Sequence, residues 1–270
     1  MTSRHVVGPL LLAFTMLSQV LGASTSTPFQ IAPSPSFLIS IANADENACN
    51  EAAGLTTDDT VKTLRKFAVV VTNNSSLSVN ALTVVWTLVE PTGHVITQTF
   101  LSDSYMRPTL TSVIPPHGRA IMWPLVMYRR HDDGSWTSHH LSPNTSLAGK
   151  FSVATSVTVT LDFVATSDGQ YSGDDTRRTL ESIRSRKQAA TEIVNAIRHA
   201  QSSGKSVDDV IAQISASNAL ARSELDKWRQ RFTGQLMRPS VPREGFTRYL
   251  ESLPDVPSFK RSSLTSGGLQ

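Results

Sequence analysis

The hydrophobic pattern of the chain changes period once. Up to about residue 166, apolar and polar positions alternate in short runs, as in half-buried strands. Beyond about residue 172 they recur at intervals of three and four, as on one face of a helix. "FAVVVTN" (67–73) reads as a strand, and "NNSS" (73–76) as a turn, since Asn tolerates positive φ and Ser bonds its own backbone. In "ALTVVWTLVE" (81–90), Leu82, Val84, Trp86 and Leu88 share one face, and "HVITQTF" (94–100) returns after "PTG". "LTSVIPPHGRAIMW" (110–123) gives two shorter strands around a proline corner. In "FSVATSVTVTLDFVAT" (151–166), Val157, Val159, Leu161, Phe163 and Ala165 share a face, opposite Thr158, Thr160 and Asp162. Trp86 and Phe163 are therefore expected in one core. Short strands with regular turn signals and no helix between them predict an antiparallel β-sandwich.

Three helices should follow. The first runs from about 174 to 202 on Leu180, Ile183, Ala190, Val194 and Ile197, with Lys187 on the same stripe. The second starts at a Ser206–Asp209 capping pattern and carries Val207, Val210, Ile211 and Ile214. The third carries Leu220, Leu225, Trp228 and Phe232. Such stripes must be buried somewhere, and packing within the chain is favoured over pairing between chains, making a monomer the expected state. The joint is "TSDGQYSGDD" (166–175): Asp168–Gly169 turns the chain out of the last strand, and Ser172 with Asp175 resembles a capping box. As a calcium loop it fails, because the residue twelve after counting from Asp168 is Thr179, not a bidentate Glu.

The fold class expected is mainly β with an α-helical C-terminal appendage: a sandwich over 37–166, a helical segment over 167–236, and a mostly disordered tail over 237–270. Only 243–253 in that tail has a helical stripe, through Phe246, Tyr249, Leu250 and Leu253. Residues 1–22 read as a signal peptide, with Arg4 and His5 before an uncharged apolar run, and 23–36 as a Ser/Thr/Pro linker. The expected location is secreted or periplasmic. Cys49 has no partner for an internal disulfide, and its polar context suggests exposure.

Charge divides unevenly: residues 23–166 hold 8 basic and 10 acidic side chains, and residues 167–270 hold 16 and 12. Arg-bearing helix faces should thus look outward to another envelope protein or an anionic envelope polymer, and not to nucleic acid. Candidate chemistry is confined to "YRRHDDGSWTSHH" (128–140). His131, Asp132, Asp133, His139 and His140 are competent metal ligands or acid–base groups. Their spacing fits no metal motif, and adjacent histidines on a strand point to opposite faces. A hydrolase or metal-binding role for this loop is the alternative reading; the preferred one has no catalytic residue and no cofactor. "SSGKS" (202–206) resembles the end of a phosphate-binding loop, but His199 stands where the first Gly belongs. The sequons at Asn73, Asn74 and Asn144 matter only in a eukaryotic secretory route.

"FAVVVTNNSSLSVNALTVVWTL", "EPTG" and "VIPPHG" together resemble the CARDB-like immunoglobulin-like modules of bacterial extracytoplasmic proteins, over about residues 36–166. Trp86 stands where such folds carry a core Trp, although the Cys pair that packs on it is absent. The resemblance implies a scaffold for adhesion or assembly and transfers no catalytic residue.

Overall fold

The computed structural model describes residues 28–45, 47, 49–50, 64–130, 135–140 and 145–262. The expected signal peptide, most of the proposed linker and the end of the tail lie outside them.

Two largely antiparallel sheets face each other across one apolar core. The first has the order β11-β10-β9-β4-β5, formed by β4 (Val79–Val89), β5 (Val95–Asp103), β9 (Ser156–Thr166), β10 (Gln170–Ser172) and β11 (Lys260–Arg261), with β1 (Phe29–Ile31) parallel to β9. The second has the order β2-β3-β6-β7-β8, formed by β2 (Ile39–Asn43), β3 (Val69–Asn73), β6 (Arg119–Trp123), β7 (Val126–Arg130) and β8 (Trp136–His140). Leu82, Val84, Trp86 and Leu88 of β4 point into the core, as their alternation predicts, against Val69, Val71 and Met122 of the opposite sheet. Trp86 is fully buried, and its indole N–H donates to the Phe67 carbonyl at 2.9 Å. Trp86→Phe removes that donor and leaves a buried carbonyl unpaired. A loss of about 1–3 kcal/mol in urea unfolding is expected; a change near zero would mean the carbonyl finds another donor.

Phe163 departs from the expected face. The β4–β9 register slips between Thr83↔Phe163 and Val84↔Leu161, so Asp162 is the extra residue of a β-bulge. Before it, Val157, Val159 and Leu161 face the inter-sheet core. After it, Val164 faces in, while Phe163 and Ala165 face out into a separate cluster with Ala81, Ile183 and Phe259. A period-two reading cannot see this, because one inserted residue inverts every later position.

Further differences have physical reasons. A helix, α1 (Thr145–Val153), stands between β8 and β9, so 151–153 end a helix and do not start a strand. Leu147, Phe151 and Ala154 lie at helical spacing and fill the inter-sheet core. Residues 110–123 hold one strand, β6, plus a single bridge between Val79 and Ile114. Part of the expected linker is strand β1, because Phe29 and Ile31 alternate and pack on the core; Phe29 meets Phe67 edge-on at 5.8 Å. Cys49 is buried beside Trp123 and Tyr128, and burial raises its thiol above the ordinary value while Arg65 opposes. Asn73, the first sequon, is also buried: its side-chain amide donates to the carbonyls of Leu77 and Pro115.

Four helices follow the joint: α2 (Thr179–Ser202), which packs Leu180 and Ile183 on the outer face of the first sheet, then α3 (Val207–Ser217), α4 (Glu224–Leu236) and α5 (Arg243–Glu251). Their stripes pack on one another through Ile193, Ile197, Ile211, Trp228, Phe232 and Leu250. Ser206 caps α3 as expected, accepting from the Asp209 N–H. α4 begins later than expected, at a full Ser223–Asp226 capping box, and Leu220 stays exposed. Within the described part of the expected tail stand α5 and β11. Leu250 and Leu253 join the helical core, Lys187 donates to the Leu253 carbonyl, and β11 adds in parallel to β10. Lys187 is thus a clamp for the tail, and Arg186 takes the buried place on the α2 stripe.

"TSDGQYSGDD" is the joint between sheet and helices, but not by the expected cap. Asp168 accepts from the Thr166 hydroxyl at 2.7 Å and the Gln170 N–H at 3.1 Å, which turns the chain back into β10. Ser172 belongs to β10, and α2 starts only at Thr179. Its first N–H groups are met by the Asp175 carboxylate, at 2.6 Å to Thr179 and 3.2 Å to Leu180. The bulged Asp162 receives the joint: its carboxylate accepts from the Thr176 N–H and hydroxyl and from the Arg177 N–H.

Burial raises the Asp175 carboxyl above its ordinary value, with Asp162 adding to the rise and the helix N–H groups opposing it. The folded chain therefore holds that proton more tightly than the unfolded chain. Stability contributed at this site grows as pH falls from above the folded value toward the unfolded one, about 3.9. Asp175→Asn cannot titrate. The wild type should therefore gain on this variant between pH 7 and pH 4 in paired unfolding curves, and a constant or opposite difference would refute the assignment.

Candidate functional site

Several arginines of the helical layer are matched within the chain. Arg178 pairs with Glu181, Arg198 with Glu251, Arg229 with Glu192 and Asp226, Arg243 with Asp208, and Arg248 with Glu244. The outward Arg face expected from the sequence is therefore partly self-neutralised, and Arg177, Arg184, Arg222, Arg231 and Arg238 carry no ion pair among the described residues.

One of these, Arg231, lines a cleft that Arg107 lines from the strand side. It lies between β5 and the 3-10 turn Ser104–Met106 on one side and α2, α4 and α5 on the other, with a volume of about 780 Å³. Thr99, Leu101 and Asp103 form the strand wall, on the outward face of β5. At the base, Arg186 makes a two-pronged pair with Asp103, at 2.6 and 3.1 Å, with both side chains about 1–2% exposed. That pair is electrically closed. Trp228 donates its indole N–H to the Ser182 hydroxyl at 3.1 Å, which fixes its ring. The guanidiniums of Arg186 and Arg231 lie 5.2 and 5.1 Å from the centre of that ring, a cation–π arrangement for each.

Tyr249 closes the cleft from α5 and donates its hydroxyl to the Met106 carbonyl at 2.8 Å. Burial raises this phenol above its ordinary value; the charges of Arg186, Arg107 and Arg231 pull it down, and Asp103 pushes it up. Three guanidiniums thus act on one hydroxyl. Arg107 is half-buried and Arg231 exposed, and among the described residues neither has a carboxylate partner. Glu224, also on the wall, is paired with Lys227. The cleft therefore carries excess positive charge beside the Trp228 ring, an arrangement that can bind an anion.

Of the residues singled out from sequence, His139 reaches this cleft. It is half-buried in β8, with its ring edge-on to Phe100 at 5.3 Å. His140 follows it in β8, opposite Val126, and its side chain lies outside the described residues, as do His131, Asp132 and Asp133. Among the described residues, no group of three or more His, Cys, Asp or Glu side chains could hold a metal ion. No described helix is long and apolar enough to cross a membrane. Trp228 and Tyr249 were legible as apolar stripe residues, but not as cleft walls; Asp103, Arg107, Arg186 and Arg231 gave no signal, since convergence of four distant segments is not written in local spacing. No family model matches the chain, and neither a curated protein nor a solved structure matches it.

Proposed function

We propose that the chain is an exported, non-catalytic interaction module of the cell envelope: an immunoglobulin-like sandwich whose docked helical layer offers a cationic cleft to an anionic partner. The observation that carries this reading is the placement of Arg107 and Arg231, neither with a carboxylate partner among the described residues, on the walls of one cleft. Guanidinium groups lose less hydration than ammonium groups on binding and match carboxylate or phosphate oxygens in a planar fork. The antiparallel sheets and the Trp86 core support the sandwich part of the reading.

The test uses labelled poly-L-glutamate, with uncharged dextran as control, followed by fluorescence anisotropy. Saturable binding of polyglutamate that weakens as salt rises, with none of dextran, is expected. Absence of polyglutamate binding at low salt, or equal binding of dextran, would overturn the reading.

A further inference from the structure

We propose that the cleft between β5 and helices α2, α4 and α5 is a receptor for a phosphate monoester group, gripped by Arg107 from the strand side and Arg231 from the helix side. This rests on the preceding reading of an anionic partner and gives that partner its chemistry. Charge matching decides the class. The Asp103–Arg186 pair and the Glu224–Lys227 pair are each closed, so the excess on the walls comes from two guanidiniums. A carboxylate brings one negative charge and two oxygens and would leave one guanidinium unmatched. A phosphate monoester brings about 1.5 to 2 negative charges near pH 7 and three acceptor oxygens, enough for two forks at once.

The cleft also has the features of a preorganised site. Arg231 is held 5.1 Å from the Trp228 ring centre, so its side chain is already ordered before a ligand arrives. Trp228 is itself fixed by its bond to Ser182 and is only 8% exposed. Tyr249 has used its proton on the Met106 carbonyl, so it serves as a rigid wall and holds the turn that carries Arg107. Arg186, buried beneath and paired through two N–H groups with Asp103, forms the floor of the cleft without needing to touch the ligand. The volume, about 780 Å³, exceeds what a bare phosphate needs and admits the group that bears it, within the range of small-molecule pockets.

The experiment is isothermal titration of the intact chain with glycerol 3-phosphate and inorganic phosphate, and separately with succinate as a dicarboxylate of equal charge. Both phosphates are expected to bind saturably at one site, and succinate at least 10-fold more weakly. Arg107→Gln and Arg231→Gln should each weaken phosphate binding at least 10-fold, while Arg184→Gln, an exposed position outside the cleft, should leave it unchanged. Neither cleft variant removes an ion pair, and Arg231→Gln loses one exposed cation–π contact, so both should unfold cooperatively with urea midpoints close to that of the wild type, which separates lost binding from lost fold. Tighter binding of glycerol 3-phosphate than of inorganic phosphate would place the bearing group in the cleft; equal affinity would mean a site for the phosphate alone, and both support the proposal. Succinate binding as tightly as phosphate, no phosphate binding, or unaltered binding in the two cleft variants would overturn it. Should polyglutamate still bind while phosphate does not, the anionic partner stands and the phosphate assignment falls.

Discussion

Asp103→Ala is expected to lower the stability of the folded chain by about 3–5 kcal/mol. The mechanism is an orphaned charge. Arg186 is 1% exposed and cannot reach water when its partner is removed. Its two terminal nitrogens donate to the two oxygens of Asp103 at 3.1 and 2.6 Å, and no other carboxylate pairs with it among the described residues. Breaking a buried pair from one side costs this much because the desolvation of the remaining ion is no longer offset. The pair itself need not stabilise the fold relative to an apolar one. Asp103→Leu combined with Arg186→Met should therefore recover most of the loss. Urea unfolding of the single and double variants measures both. A single-variant loss below about 1 kcal/mol would mean that Arg186 finds solvent or another partner.

The same pair explains what the sequence could and could not reveal. The period change near residue 166 separates the long strands from the four consecutive helices, because alternation and three-four spacing are local consequences of burying one side of an element, while helix α1 before it and strands β10 and β11 after it escape the pattern. The three-four spacing puts Lys187 on the helical stripe, whereas Arg186 is buried and Lys187 is half-buried against the tail. Position alone favours neither, since both lie within one turn of Ile183 and Ala190. What decides is Asp103, which stands 83 residues away and leaves no trace in the helix. The tail shows the same limit. Its composition is that of a solvated segment, yet Leu250 and Leu253 find a ready-made apolar surface, and the Lys260 and Ser262 N–H groups find the open side of β10. Composition reports whether a segment can bury itself, not whether something else can bury it. In the cleft, the histidine-rich loop drew attention because its ligating residues are contiguous. Arg107 and Arg231, whose local contexts are ordinary, carry the site because the fold brings them to the walls of one cleft.

Gly173→Ala should cost roughly 3–5 kcal/mol, far more than an ordinary surface substitution. Two effects add. Gly173 has φ of +105°, which L side chains rarely adopt, and such strain costs on the order of 1–3 kcal/mol. In addition, a Cβ here would lie 2.2 Å from the Asp162 carbonyl oxygen and 2.8 Å from its carbon. Those are backbone atoms of a central strand and cannot swing aside, so the joint must move, at about 1–3 kcal/mol for an overpacked site. The movement strikes the helical layer where it is tied down. The same Asp162 oxygen accepts from the Asp175 N–H at 3.0 Å, and the Asp162 carboxylate holds Thr176 and Arg177. Gly204→Ala separates the two effects. Gly204 also has positive φ, +67°, but nothing lies within 4 Å of a Cβ built there. It should lose only the left-handed backbone cost, about 1–2 kcal/mol. In urea unfolding, losses for the two variants within about 0.5 kcal/mol of each other would mean that the joint yields without cost. A clearly larger loss at Gly173 would identify the bulge at Asp162 as the point where the sheet holds its helices.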